Sequence, residues 1–336
     1  MAIAESALIE RYFRHLGAVR TDVVLGIGDD AAVVRPSAGS ELVQTTDSLV
    51  EHVHFLSGSP PRSLGHRVLA VNLSDLAAMG ATPAWALLSL TLPHIDESWL
   101  SEFAIGFGSL ARQHCVALIG GNLSRGPLSL TVQLTGLVAN GSALRRSGGR
   151  SGDQLWVSGS VGDAAQGLEL LRGRAVVRGS KPESAAEFNS ASALRDRFEF
   201  PTPRVALGDA LRGLASACID LSDGLMSDLP RLAAASGCGA QLDLDRLPTS
   251  EALRALLGDL AWRGAVSGGE DYELCFAAAR EHAAAIENIG RSLALPLACC
   301  GQLRSESGVQ WHRGGAVIQF SQLPFDHFNG SPKDNC

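Results

Sequence analysis

Positive charge is in short supply in this 336-residue chain: 28 lysines and arginines stand against 35 aspartates and glutamates, a formal net charge of −7. That balance excludes a general nucleic-acid or anionic-membrane surface, although bound divalent cations could still bring phosphates in. Long apolar runs are missing as well. The best of them, Ala84 to Leu92, falls well short of the roughly 20 residues a membrane span needs and fits a buried strand. The seven cysteines form no C-x-x-C pair and no zinc spacing, and most lie in apolar stretches where cysteine is a small core residue. No G-x-x-x-x-G-K-[ST] loop, G-x-S-x-G elbow or H-E-x-x-H is found. Glu5, Glu10, Arg11 and Arg14 give the N-terminus a helical pattern rather than that of a signal peptide, so the expected location is the cytoplasm.

What is present is a set of acids at glycine-broken turns. Leu25-Gly-Ile-Gly-Asp29-Asp30-Ala places two carboxylates side by side, and like charges this close call for a counter-charge such as a hard cation. Others follow at Thr45-Thr46-Asp47, Asn72-Leu-Ser-Asp75, Asp220-Leu-Ser222-Asp223-Gly and Gly268-Gly-Glu270-Asp271. Gathered together, such turns form an oxygen-lined, multi-metal cradle of the kind that handles phosphates, since phosphoryl transfer needs little beyond positioning and charge neutralisation.

Apolar content of 46% and charged content of 19% describe an ordinary folded chain, and its length predicts two α/β domains of roughly 150 residues each. Their expected extents are 1–140 and 150–330, with the Gly/Ser/Arg-rich stretch Gly141 to Gly152 between them and 331–336 as a frayed polar tail. The pattern predicts a helix over 5–16, strands at Val23–Leu25 and Leu42–Gln44, a long helix from Pro61 to Met79 carrying Asn72 and Asp75 on one face, and a strand Val116–Ile119 running into a Gly120-Gly121-Asn122 loop. In the second half, a strand ends at Asp220 and Ser222 is the expected N-cap of the next helix, whose N-terminus flanked by acids suits a metal-bridged phosphate. Residues 173–200 are expected to be irregular.

Several of these motifs, in register from residue 5 to Phe325-Asp-His-Phe, resemble one family: Leu25-Gly-Ile-Gly-Asp-Asp-Ala, Thr45-Thr-Asp-Ser-Leu-Val, Ala70-Val-Asn-Leu-Ser-Asp-Leu-Ala-Ala-Met-Gly-Ala, Ile219-Asp-Leu-Ser-Asp-Gly-Leu and Ser267-Gly-Gly-Glu-Asp-Tyr-Glu-Leu are similar to thiamine-monophosphate kinases. The resemblance implies the two-domain fold shared with aminoimidazole-ribonucleotide synthetase, with an N-terminal domain that dimerises through its sheet and a C-terminal α/β domain over the cleft. It implies direct phosphoryl transfer from ATP to thiamine monophosphate with several magnesium ions, the last step of thiamine diphosphate biosynthesis. By matching motif, Asp30, Thr45, Thr46, Asp47, Asp75, Asn122 and Asp220 are implied as magnesium ligands, with Asp223 on a further ion. Gly121, Asn122, Arg146 and Ser222 are implied as ATP contacts. His54, Glu270 and Phe325 are implied as contacts of thiamine monophosphate, whose cationic ring suits an aromatic wall and a carboxylate.

Two alternatives share some of these features. One is a sister enzyme of the same fold, a selenophosphate synthetase or the hydrogenase-maturation dehydratase whose C-terminal cysteine reacts; Cys336 is the tempting residue, but it ends a polar tail. The other is a nucleotide-binding protein without catalysis. The chain also departs from the family pattern, which has Gly-Gly-Asp where this sequence has Gly120-Gly121-Asn122. An amide oxygen can ligate magnesium but neutralises none of its charge. Replacing Asn122 by Asp is therefore expected to lower the magnesium concentration for half-maximal activity, and a magnesium titration unchanged by Asn122→Asp would remove this position from the ligand set.

Overall fold

In the computed structural model, which describes residues 4–174 and 185–320, the chain divides into two compact units. The first comprises the described residues up to Leu76 together with Ala81–Gly141; the second comprises Ala77–Gly80 and the described residues from Ser142 onward. Phe325, Cys336 and the polar tail lie outside the described residues, as does part of 173–200.

The first unit runs α1 (Glu5–Tyr12), β1 (Val23–Leu25), β2 (Val33–Val34), β3 (Ser40–Val50), α2 (Pro61–Ala78), β4 (Thr82–Leu92), α3 (Glu97–Gln113), β5 (Ala117–Arg125) and β6 (Ser129–Ala139). Its main sheet has four strands in the order β3-β6-β4-β5, antiparallel except for the parallel pair β4/β5. Period-two burial along β6 sets Leu130, Val132 and Leu134, all 0% exposed, toward the core. Proline at its first position starts α2, and its apolar residues Val68, Leu69, Leu73 and Leu76 are wholly buried. Asp96 caps α3 by accepting from Ser98 N and Trp99 N.

Two expectations change here. The Thr45-Thr46-Asp47 trio is not a turn after a short strand but the middle of the eleven-residue β3, where β-branched threonines suit a long edge strand. Likewise Gly120-Gly121-Asn122 is not a loop: β5 continues through it to Arg125, both glycines paired with β4, and the one irregularity in register falls at Ile119 just before them.

The second unit contains β7 (Gln154–Ser158), α4 (Asp163–Leu171), α5 (Ala185–Glu199), α6 (Val205–Leu211), β8 (Ala215–Asp220), α7 (Leu225–Ala235), β9 (Gly239–Asp243), α8 (Glu251–Leu257), α9 (Ala261–Ser267), β10 (Leu274–Ala278), α10 (Ala283–Ser292), β11 (Leu297–Arg304), β12 (Val309–Arg313) and β13 (Ala316–Ile318). Its seven strands lie in the order β13-β12-β9-β11-β7-β10-β8, with β9/β12 the parallel pair. Apolar clusters line both faces of this sheet: Leu155, Val157, Ile219, Leu229 and Leu232 in one, Trp156, Cys218, Phe276, Leu207 and Leu211 in the other. The mixed α/β class holds for both units. Residues 185–199 are helical rather than irregular, and α9 has no counterpart in the sequence reading.

The reason α5 is ordered is a buried ionic cluster. Glu273 is 0% exposed; Ser158 Oγ donates to it at 2.6 Å, Arg197 Nη2 at 2.9 Å and Arg204 Nε at 2.6 Å. Arg197 comes from α5, so a helix of low amphipathic character is held by charge at its inner end, and Leu194 adds apolar contact with Leu253 and Leu256 of α8. Beside it, Asp271 accepts from Gly162 N at 2.6 Å and Ala164 N at 3.1 Å, so it caps α4 from a distant segment. Burial pushes the Asp271 carboxyl up to about 7, against the two backbone donors and Arg197, which pull it down. Asp163 accepts from Ser160 Oγ at 2.5 Å and Ser250 Oγ at 2.6 Å. Neutralising Glu273 would take from Arg204 and Arg197 the buried carboxylate they share, leaving Arg197 only the more distant Asp163, 3.9 Å away. Glu273→Gln is expected to destabilise the protein by about 3–5 kcal/mol, read as a lower denaturant midpoint; a change below about 1 kcal/mol would mean the cluster is not what orders this region.

Candidate active site

The predicted site residues are brought together only in part: Thr45 meets Asp75 in the first unit, and the segment with Asp220, Ser222 and Asp223 meets the one with Glu270 in the second. In the first, side chains alternate along β3, so Thr45 and Asp47 share one face while Thr46 points to the other. Thr45 Oγ1 donates to Asp75 Oδ2 at 2.5 Å, which brings the middle of β3 against α2 and sets two predicted magnesium ligands side by side. One turn back on α2, Asn72 is 0% exposed; its Nδ2 donates to Val68 O at 2.9 Å while its buried Oδ1 has no hydrogen-bond partner. Hydroxyl, carboxylate and amide oxygens are the donors a hard cation takes. Thr46 is exposed on the opposite pleat and donates to Val132 O at 3.2 Å.

Asp30 is exposed on the turn between β1 and β2, its N–H donating to Asp29 Oδ1 at 2.9 Å. The base of that hairpin is held by Arg20, which donates to both oxygens of Asp22 at 2.9 and 2.6 Å, while Trp85 Nε1 donates to Asp22 Oδ1 at 3.1 Å. The ion pair holds the Asp22 carboxyl below its ordinary range. His54 lies on the loop after β3. Val50 N–H donates to its Nδ1 at 3.1 Å, so in the neutral ring the proton sits on Nε2. Arg67 of α2, 1% exposed, donates to His54 O at 3.2 Å and fixes the loop.

Gly121 and Asn122 lie side by side on β5, registered against Leu88 and Ser89. The strand itself accounts for Gly121: its φ is +152°, and a Cβ there would fall 1.8 Å from Leu88 O. Asn122 is exposed.

In the second unit, two loops are stitched backbone to backbone. Glu270 N donates to Ser222 O at 2.8 Å and Tyr272 N to Leu221 O at 3.0 Å, so the segment holding Asp220, Ser222 and Asp223 lies against the one holding Glu270. Glycine permits the approach: a Cβ on Gly224 would sit 2.4 Å from Gly268 O, and one on Gly269 would sit 2.6 Å from Ser222 O. Asp220 closes β8 and is 4% exposed. Ser222 is not the cap of α7, which begins at Leu225 with Gly224 in the cap position and no side-chain cap; the Ser222 carbonyl is engaged with Glu270 instead. Asp223 is paired with Arg231, whose Nη1 donates to Asp223 Oδ2 at 2.6 Å and to Asp228 Oδ1 at 2.9 Å. Asp228, 1% exposed, accepts from Asp223 N at 3.0 Å; burial, then Asp223, push its carboxyl up to about 7. Arg146 is exposed, and Ser236 Oγ donates to its carbonyl at 3.0 Å.

Asp228, Arg231, Tyr272 and the Glu273 cluster were not singled out from sequence as site supports. The i, i+3 spacing of Asp228 and Arg231 is a visible signal for their pair, but nothing in it foretells that it reaches back to Asp223. Among the described residues, no three His, Cys, Asp or Glu side chains are close enough to cage a metal ion. The donors instead come in small sets, and that suits magnesium, which is held through one or two carboxylates together with substrate phosphates and water.

Residues 28–138 match the family described as AIR synthase related protein, N-terminal domain, and residues 150–311 match its C-terminal domain. The thiamine-monophosphate kinase of Salmonella typhimurium is 44% identical over 330 residues, 98% of this chain and 99% of that protein. The crystal structure of thiamine-monophosphate kinase from Stenotrophomonas maltophilia superposes with a TM-score of 0.83 at 46% identity, covering 95% of this chain and 99% of the other. AaThiL complexed with AMPPCP and TMP matches at a TM-score of 0.75 and 32% identity, over 90% of this chain and 92% of the other. On this evidence of shared sequence and fold, the chain belongs to the AIR synthase related family and, within it, to the thiamine-monophosphate kinases.

Proposed function

We propose that this protein transfers the γ-phosphoryl group of ATP to thiamine monophosphate. A phosphate oxygen of thiamine monophosphate attacks the γ-phosphorus, the bond from that phosphorus to the β,γ-bridging oxygen breaks, and thiamine diphosphate and ADP leave. The observation that carries the reading is the stitching of Leu221 and Ser222 to Glu270 and Tyr272, which holds acids suited to phosphate-bound cations beside a carboxylate suited to a cationic ring. Kinases of the family act on this pair of substrates by name or in complex with their analogues.

The residue roles are those that the family resemblance implies, and the chemistry of each group is compatible with them. Asp30, Thr45, Asp47, Asp75 and Asn122 of the first unit, and Asp220 and Asp223 of the second, hold magnesium. Bound magnesium neutralises the phosphates and lowers the repulsion between two anionic reactants. Thr46 belongs to this set through its backbone position rather than its hydroxyl, which is turned to the other face. Asp223 would have to give up its bond with Arg231 to hold an ion. Gly121, Asn122, Arg146 and Ser222 contact ATP. His54, Glu270 and Phe325 are the contacts of thiamine monophosphate, with Glu270 offering a carboxylate and Phe325 an aromatic ring to its cationic part.

A homodimer is part of the proposal. The face of the four-stranded sheet turned away from α2 exposes Leu42 (49%) and Leu87 (39%) beside Thr46, Ser48 and Thr131, a surface that a second copy would cover. Light scattering should give twice the chain mass, and Leu87→Glu should shift it toward the single-chain value; a protein that is monomeric at micromolar concentration overturns this part.

The decisive assay supplies ATP, magnesium and thiamine monophosphate, and follows ADP and thiamine diphosphate together. Equal amounts of both are expected. Asp75→Asn should raise the magnesium concentration for half-maximal rate by about ten- to a hundredfold. Absence of thiamine diphosphate from folded protein would end the reading.

A further inference from the structure

We propose that Tyr272 is a positioning residue for the substrate, acting through Glu270; the proposal rests on the reading of Glu270 as a thiamine-phosphate contact. Tyr272 Oη donates to Glu270 Oε2 at 3.1 Å, across two residues of the same loop. The tyrosine is 6% exposed, so its ring is fixed in the interior while its hydroxyl reaches the carboxylate.

The backbone that allows this contact is unusual. Glu270 has φ of 69° and Tyr272 φ of 53°, left-handed values that glycine adopts freely and other residues adopt only when their surroundings enforce it. Enforcement comes from every side of the loop. Leu221 O and Ser222 O hold the N–H groups of Tyr272 and Glu270. Between and after them, Asp271 is anchored on the start of α4, and Glu273 between Arg197 and Arg204. Residues 270 to 273 thus divide their work. Asp271 and Glu273 are spent on the interior, while the Tyr272 hydroxyl is turned to the Glu270 carboxylate.

The consequence for binding is one of preorganisation. A glutamate carboxylate on three rotatable bonds samples many positions, and each must be given up when a ligand binds. A neutral donor on a rigid ring selects one rotamer while leaving the carboxylate its full charge. The hydroxyl therefore acts on substrate binding, remote from the phosphorus at which bonds change. Its loss belongs in KM for thiamine monophosphate and not in kcat.

Tyr272→Phe removes this one oxygen and keeps the ring that fills the interior. It is expected to raise KM for thiamine monophosphate by about five- to tenfold, with kcat and KM for ATP each within about twofold and the melting temperature unchanged. In a Glu270→Ala background, itself raised in KM for thiamine monophosphate, the added Tyr272→Phe should change nothing further. The proposal is overturned if Tyr272→Phe leaves that KM at the wild-type value, or if it raises KM equally in the Glu270→Ala background. A Glu270→Ala variant with unaltered KM for thiamine monophosphate would instead sink the underlying reading of Glu270, and Tyr272 with it.

Discussion

A carboxylate with no access to water, Glu273, is shared between two guanidiniums, and the second unit is arranged around that fact. Burying a charge is costly unless it is paired and fully hydrogen-bonded, and here a serine hydroxyl and donors from both Arg197 and Arg204 meet that condition. The arginines arrive from α5 and from the approach to α6, so satisfying Glu273 also fixes where those elements run. The same strand start holds Asp271 on α4, and the loop before it is left with a single conformation. Through that loop the constraint reaches Ser222 and Leu221, and with them the acids at the end of β8.

Acidic groups collected for phosphate chemistry repel one another until cations arrive, and the protein manages this in different ways in its two units. In the first, Thr45 gives Asp75 a neutral donor, and Asn72 keeps an amide oxygen buried without a partner one turn away. In the second, Arg231 stands against both Asp223 and Asp228. A neutral hydroxyl leaves a carboxylate its full attraction for a metal ion, whereas an arginine competes with one.

The fold alone does not select a reaction, because the AIR synthase architecture carries several. Under the proposed function, discrimination falls to segments that depart from regular geometry: the hairpin with Asp30, the loop with His54, and the left-handed stretch from Glu270 to Tyr272. These are held by side-chain bonds to the scaffold, from Arg20 and Asp22, from Arg67 and from the Glu273 cluster. Candidate site groups on these irregular segments are thus aimed by rigid elements, while Thr45, Asp47 and Asp75 sit on regular elements themselves.

Much of this was legible in the residues themselves. Periodicity and punctuation gave α2, α3, β4 and β10 their places, since apolar spacing and a proline or glycine at each end are local properties of the chain. The motifs carrying Asp30, Asp75, Asp220 and Glu270 were visible because acids, hydroxyls and glycines set close together can be read directly from the residues. Where local reading failed, a distant partner had decided. Thr45 to Asp47 and Gly120 to Asn122 look like turns in isolation but are strands because β6 and β4 supply the hydrogen bonds. Helix α5 looks irregular because its order comes from Arg197 meeting a glutamate 76 positions away. Sequence by itself determined which chemical groups the protein owns and which family it joins. Only tertiary structure decided which groups touch, because hydrogen bonds and buried charges are satisfied by neighbours in space, whatever their separation along the chain.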